Sequence, residues 1–154
     1  MTVTNGINGS DGVSSPGDDD YFDYYPLDDG TLGIRMGKTE FLSEIVIPAK
    51  HNGRTVSTIL PNAFRDASKM KTIVIPDSVT SIGNLAFYGC SGLTSVTVGN
   101  SVTSIGDYAF YDCSALTSIT LPDSVTSIGN SAINRERDTA TKQQNKHTAF
   151  QTVA

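Results

Sequence analysis

The apolar positions of this chain recur with a period of 23 residues over its second half. Three segments open with the strings MKTIVIPDSVTSIG, LTSVTVGNSVTSIG and LTSITLPDSVTSIG, which begin at Met70, Leu93 and Leu116. A fixed period of this length is typical of a solenoid. A single unit cannot bury its apolar face alone, so the pattern predicts a row of stacked coils.

Each unit contains two predicted extended stretches. In the unit that starts at Leu93, Val96 and Val98 alternate with polar residues, which favours a strand with one face turned inward. Proline or glycine then ends this strand, at Pro76, Gly99 and Pro122. A second apolar pair, Val102 and Ile105 with its equivalents one period away, predicts a second short extended stretch that enters the core.

The last part of each unit predicts a short helical turn. Gly83, Gly106 and Gly129 permit a sharp turn, and Asn84, Asp107 and Asn130 follow at the position of an N-cap. In the unit that starts at Leu93, the residues Ala109, Phe110 and Cys113 then fall on one face, with the phenylalanine filling the space that a longer helix would occupy.

A further copy of the repeat precedes these three. Leu42, Ile45 and Ile47 have the expected spacing, and every later apolar position of this unit arrives five residues late. One insertion between Pro48 and Val56 accounts for all of these delays, so the first coil is expected to have one long loop.

These patterns divide the chain into four parts. Residues 1–20 form a flexible acidic lead rich in Gly, Ser and Asp, and residues 21–41 an N-terminal β-hairpin that caps the array. Residues 42–133 form a mainly β repeat solenoid with short helical turns, about four coils (42–69, 70–92, 93–115 and 116–133) and a small curved sheet. Residues 134–154 form a polar tail that we expect to be disordered.

The string LTSxTxPxSVTSIGxxAFYxCSx resembles the BspA-like (Treponema pallidum type) leucine-rich repeat, and the resemblance covers residues 42 to 133. The upstream segment YPLDDGTLGI resembles the hairpin that often precedes the first coil in such proteins. The resemblance implies a curved solenoid on a cell surface or secreted, which binds host proteins or other cells. The pattern stops at Ile133 without a recognisable cap, which leaves either an open apolar edge or a piece of a longer array.

The charge distribution narrows the class of partner. The net charge is −5, and residues 1–40 contain eight acidic and two basic residues. Without a basic stripe the chain is not expected to bind nucleic acid. The sequence as given has no apolar run of membrane-spanning length and no signal peptide at its start, so we expect no membrane insertion.

Candidate chemistry is sparse. The two histidines, His51 in the inserted loop and His147 in the tail, are the only imidazole bases, and no nucleophile elbow, dinucleotide-binding or metalloprotease motif is present. Cys90 and Cys113 stand one period apart; they are interpreted as buried thiols, with a disulfide between neighbouring coils as the alternative. Two cysteines cannot form a structural zinc site. We therefore expect no enzyme activity, no metal and no cofactor.

The outward strand positions form the predicted binding face. The residues chosen there are Glu44, Lys71, Thr72, Thr94, Ser95, Thr97, Thr117, Ser118 and Thr120, with Val46 and Val74 at two further outward positions, and His51 and Arg54 as loop contacts. Thr and Ser also suit exposed strands for purely structural reasons. The partner is predicted to be another protein, and the alternative is a structural spacer that associates with itself through its uncapped last coil.

Overall fold

The structure, a computed structural model, describes residues 21–37 and 42–133. The acidic lead, residues 38–41 and the polar tail lie outside the described residues. The described chain is a solenoid of about four coils with a 23-residue period, which confirms the predicted fold class. Its strands are β1 (Phe22–Pro26), β2 (Leu32–Met36), β3 (Glu44–Val46), β4 (Lys50–His51), β5 (Arg54–Ile59), β6 (Thr72–Val74), β7 (Ser81–Ile82), β8 (Ser95–Thr97), β9 (Ser104–Ile105) and β10 (Ser127–Ile128).

The first extended stretch of each unit forms a small parallel sheet, which we call the short sheet. Its order is β3-β6-β8. The residues pair in the register of the repeat, so that Ile45 lies beside Ile73 and Ile73 beside Val96. Two extended stretches in each of four units predict a fourth strand here, and this prediction was wrong, because residues 117–120 are not a strand in the structure.

The second extended stretch of each unit forms a longer sheet, which we call the long sheet. Its order is β1-β2-β5-β7-β9-β10, and β4 pairs with β5 off this path. The pairs β5·β7, β7·β9 and β9·β10 are parallel and in the register of the repeat. The long sheet therefore continues through the fourth coil, one coil further than the short sheet.

Two hairpins cover the N-terminal side of the solenoid. β1 and β2 are antiparallel, and β2 adds to β5 in parallel, so this hairpin extends the long sheet. The insertion, predicted as a long loop, is a second hairpin of β4 and the start of β5. Asn52 and Gly53 both have positive φ, 51° and 78°, as a two-residue type I′ turn requires.

The core is a stack of equivalent side chains, one layer per coil. The rings of Phe64 and Phe87 are stacked with centroids 5.2 Å apart, and those of Phe87 and Phe110 with centroids 4.9 Å apart. All three rings are buried. Phe22 of the N-terminal hairpin closes the stack with its ring edge-on to Phe64 at 6.5 Å.

The predicted short helical turns are wrong, since no helix occurs within residues 21–37 and 42–133. The backbone after each glycine alternates between two kinds of hydrogen bond. Ala86 N–H donates to Gly83 O within the coil, whereas Phe87 N–H donates to Ala109 O of the next coil, at 2.7 Å. Positive φ accompanies this alternation at two positions of the repeat: at Asn62, Leu85, Tyr108 and Ser131, and four residues later at Asp66, Gly89 and Asp112. The bonds to the next coil take the place of helical bonds.

The residues predicted as N-caps form hydrogen bonds between coils. Asn84 Oδ1 accepts a hydrogen bond from Asp107 N–H at 2.8 Å, and Asp107 Oδ1 accepts one from Asn130 N–H at 2.7 Å. Each side chain therefore binds the equivalent residue of the following coil and not its own turn. The polar residue at this position stabilises the stacking of coils.

Candidate protein-binding surface

The outer face of the short sheet presents the predicted binding residues to solvent. Thr72 is half-buried, and the other eight are exposed: Glu44, Lys71, Thr94, Ser95, Thr97, Thr117, Ser118 and Thr120. Strand pairing sets Glu44, Thr72 and Ser95 side by side in one row across the face. The structure thus brings the residues of β3, β6 and β8 together as one surface.

A second row on this face is apolar at one end. Val46 lies beside Val74, and Val74 beside Thr97. Val46 is 38% exposed and Val74 36%. Among the described residues the other large apolar side chains with comparable exposure are Tyr25 and Tyr108, so the two valines form the one in-register exposed aliphatic pair.

The sequence analysis placed both valines outward but chose the polar residues as binding candidates. The signal for the valines was present, because they occupy outward positions in two successive units where later units have threonine. What the sequence did not reveal is that their exposed surfaces adjoin, since this depends on the register of β3 against β6 after the five-residue insertion.

The face has a mixed polar character. Glu44 and Lys71 provide one charge of each sign at its N-terminal side, and no described residue forms an ion pair with Glu44. One hydroxyl is already engaged, because Thr94 Oγ1 donates to Lys71 O at 3.1 Å. The face can therefore offer apolar contact at one side and hydroxyl groups at the other.

The two predicted loop contacts, His51 and Arg54, are bound to the N-terminal hairpin. The His51 ring stacks on the Tyr24 ring with centroids 3.7 Å apart and an interplanar angle of 8°. Arg54 donates from Nε to Gly30 O at 2.9 Å and from Nη2 to Thr31 O at 3.2 Å. Both side chains therefore clamp the insertion to the β1–β2 hairpin.

The turn of the N-terminal hairpin is held by its own hydrogen bonds next to this clamp. The Thr31 hydroxyl donates to Asp29 Oδ1 at 2.6 Å, and the Thr31 N–H donates to the same oxygen at 2.9 Å. These two bonds, that of the hydroxyl first, lower the pKa of the Asp29 carboxyl, because they stabilise its ionised form. The turn and the insertion are thus joined by hydrogen bonds at the N-terminal side of the solenoid.

Cys90 and Cys113 are buried free thiols on the inner side of the coils. Cys90 Sγ donates to Phe64 O at 3.0 Å, and Cys113 Sγ donates to Phe87 O at 3.1 Å. The neighbouring Cys113 thiol and burial together raise the pKa of Cys90. A neutral buried thiol is a poor nucleophile. Within the described parts of the chain no three or more His, Cys, Asp and Glu side chains are grouped to hold a metal ion.

The inward side chains of the last coil are buried to different degrees. Leu121 and Val125 are buried and Ile133 is 9% exposed, whereas Ile128 is only partly buried. The backbone hydrogen bonds of this coil are made on one side. Its Thr126 N–H and Gly129 N–H donate to Thr103 O and Ile105 O of the preceding coil, whereas no described residue donates to Thr126 O or Ile128 O. Within the described residues, the last coil thus has carbonyl oxygens without donors and little exposed apolar surface.

The repeated coils, the two parallel sheets and the stacked phenylalanines define a leucine-rich-repeat solenoid. The model of the BspA-type leucine-rich-repeat region matches residues 38–152 with six copies. The chain therefore belongs to the BspA-type leucine-rich-repeat family.

Solved structures agree with this membership. The chain is 26% identical to the Treponema pallidum leucine-rich-repeat protein, with a TM-score of 0.71, covering 76% of this chain and 54% of that one. It is 32% identical to a leucine-rich-repeat protein from Bacteroides capillosus, with a TM-score of 0.65, covering 71% of this chain and 83% of that one. It is 26% identical to the pneumococcal vaccine antigen PcpA, with a TM-score of 0.53, covering 72% of this chain and 31% of that one. The chain thus spans about half the length of the Treponema protein.

No protein of curated function is similar enough to this chain to count as a match. The described residues contain no helix that is long and apolar enough to cross a membrane.

Proposed function

We propose that this chain is a non-catalytic protein-binding module, adhesin-like, at the cell surface or secreted. The observation that supports this most is the exposed pair Val46 and Val74 on the outer face of the short sheet. Adjacent exposed aliphatic side chains rimmed by polar ones are typical of a protein interaction site. The likeness to a pneumococcal vaccine antigen supports a location at the cell surface.

The expected affinity of one copy is low. Three strands with three residues each, two of which point outward, cover on the order of 150 Å², against roughly 800 Å² per partner in a standard specific interface. Useful binding then requires several copies, further coils or contacts beyond the face. The proposed partner is a host protein or a protein of another cell.

The test is a binding assay with the full chain against a panel of purified host extracellular-matrix and cell-surface proteins. The double variant V46E/V74E is expected to weaken the saturable binding by about tenfold or more, because it places charge in an apolar contact. T103E/T126E is the matched control: it adds the same charge at exposed positions outside the short sheet. Equal losses in both variants would contradict the choice of face.

The triple variant T94E/T97E/T117E separates the polar part of the same face. If the hydroxyl rows contribute, binding falls in this variant as well, by less than in V46E/V74E because hydroxyl contacts at a rim contribute little. Unchanged binding would restrict the site to the valines and their neighbours.

A structural spacer that self-associates through its last coil is the second candidate function. It is favoured by the carbonyl oxygens of Thr126 and Ile128, which have no donor among the described residues although the equivalent oxygens of earlier coils each accept one. Light scattering over a wide concentration range tests it. Association that grows with concentration supports a spacer, and a monomer at all concentrations rejects it.

A further inference from the structure

The outer edge of β3 has no partner strand among the described residues and lies beside the proposed binding face. β3 is the first strand of the short sheet and, among the described strands, it pairs only with β6. The N-terminal hairpin does not cover it, because β1 and β2 extend the long sheet. An unpaired strand edge presents N–H and C=O groups to which another strand can bind.

The pattern of hydrogen bonds shows which backbone groups face outward. Ser43 O accepts from Thr72 N–H at 3.1 Å, and Ile47 N–H donates to Val74 O at 3.0 Å. In a parallel ladder alternate residues point to the same neighbour, so Ser43, Ile45 and Ile47 face β6. The N–H and C=O groups of Glu44 and Val46 therefore point away from β6, toward the free side.

This edge is already formed and needs no rearrangement. Ile45 is fully buried and Ile47 nearly so, which fixes the strand against the core. The side chains of Glu44 and Val46 both lie on the outer face, one acidic and one apolar. An added strand would place two of its side chains opposite these two, and opposite charges or apolar pairs at such positions stabilise the pairing of strands.

From these contacts we infer that β3 binds an extended segment of a partner protein by strand addition, with a Lys or Arg opposite Glu44 and a β-branched residue opposite Val46. The added strand continues the β3-β6-β8 ladder and extends the valine row of the face. Residues 1–20 contain four acidic residues and no basic one. Their charge has the same sign as that of Glu44, so this segment does not fit the site. The inference rests on the proposed binding function and specifies how the partner is bound.

The probe is the synthetic peptide Lys-Arg-Ile-Val-Ile-Thr, which follows residues 71–76 with arginine in the place of Thr72 and threonine in the place of Pro76. It is titrated into the full chain and followed by the amide resonances of the protein. At about 1 mM peptide, where binding worth about 4 kcal/mol is half saturated, we expect saturable shifts of the Glu44 and Val46 amides. The same peptide with N-methyl groups on alternate amides is the control and should not bind.

Two substitutions at one position separate the backbone from the side chain. Val46→Pro removes an N–H that bonds to no described residue and blocks the edge, a change that edge strands tolerate. It is expected to weaken peptide binding about tenfold or more, whereas Val46→Thr keeps the N–H and is expected to weaken it about two- to threefold. The thermal unfolding midpoint of each variant checks that the fold is intact.

Several outcomes would overturn strand addition. They are the absence of any shift at the highest peptide concentration, equal binding of the N-methylated peptide, and equal losses in Val46→Pro and Val46→Thr. The last two leave the proposed binding function standing, since they show side-chain contact without backbone pairing. Amide shifts that grow with protein concentration in the absence of peptide would mean that a second copy occupies the edge.

Discussion

The long sheet and the short sheet run along the same coils, yet within the described residues the long sheet includes a strand of the fourth coil and the short sheet does not. Between the third and fourth coils the long sheet is intact, with Gly129 N–H donating to Ile105 O at 2.8 Å. In the short sheet no strand follows β8, and its inward residues Val96 and Val98 are only partly buried. Their equivalents Ile73 and Ile75 in the second coil are 1% exposed.

The difference follows from which part of the repeat is invariant in this chain. The string SVTSIG, which forms the strands of the long sheet, is identical in the last three coils. The residues of the short sheet vary, and the third coil has two valines where its neighbours have isoleucine or leucine. A smaller layer between two larger ones makes fewer contacts with the coil that follows. The constant sheet holds the coils together, and the variable sheet carries the proposed binding face.

The largest expected difference is in how much core substitutions in the two sheets lower the free energy of unfolding. Ile82→Ala in the long sheet removes a fully packed side chain and is expected to lower the free energy of unfolding by about 2–5 kcal/mol. Val96→Ala in the short sheet removes a partly buried one and is expected to cost about 1 kcal/mol. Urea denaturation of both variants measures this, and equal costs would remove the distinction between the sheets.

Amide exchange tests the open end of the short sheet. Ile75 N–H donates to Thr97 O at 2.8 Å, while the equivalent Val98 N–H has no acceptor among the described residues. The Val98 amide is therefore expected to exchange on the order of 100-fold faster than that of Ile75. Exchange followed by NMR decides the point, and a protected Val98 would show that residues 117–120 complete a fourth strand in solution.

Gly106→Ala tests how closely the coils approach next to the long sheet. An added Cβ would lie 2.4 Å from Asn84 Oδ1 and 2.6 Å from Asn84 N, so we expect a loss of about 1–3 kcal/mol in the free energy of unfolding. Adding Asn84→Ala should not restore stability, because the backbone nitrogen remains in place. Restoration would show that the side chain alone sets the spacing.

The smallest expected effect is at the side-chain ladder between coils. Asn84→Ala leaves Asp107 N–H without its acceptor and is expected to cost about 1 kcal/mol. Asn84→Asp keeps an oxygen in place, as Asp107 does for Asn130, and should cost less. A larger loss in Asn84→Asp than in Asn84→Ala, by chemical denaturation, would contradict the role of this oxygen.

The period of the chain was sufficient to predict the coils, both extended stretches of the first three units and the outward positions of the proposed binding face. Its local interpretation failed after the glycines, where the pattern of Asn or Asp before an apolar pair favoured an N-capped helical turn. Neighbouring coils compete for the same N–H groups, and Phe87 N–H bonds to the next coil. The Asn52-Gly53 hairpin was also missed, although that dipeptide is a strong turn signal.

The sequence by itself determined the stacking of coils, because a 23-residue repeat with few apolar residues per unit can bury them only against its neighbours. Tertiary structure decided where each ladder ends, that His51 and Arg54 clamp the hairpins, and that the exposed surfaces of Val46 and Val74 adjoin. These features depend on the distance between coils and on register across an insertion. Both result from packing of the whole array and cannot be obtained from one unit.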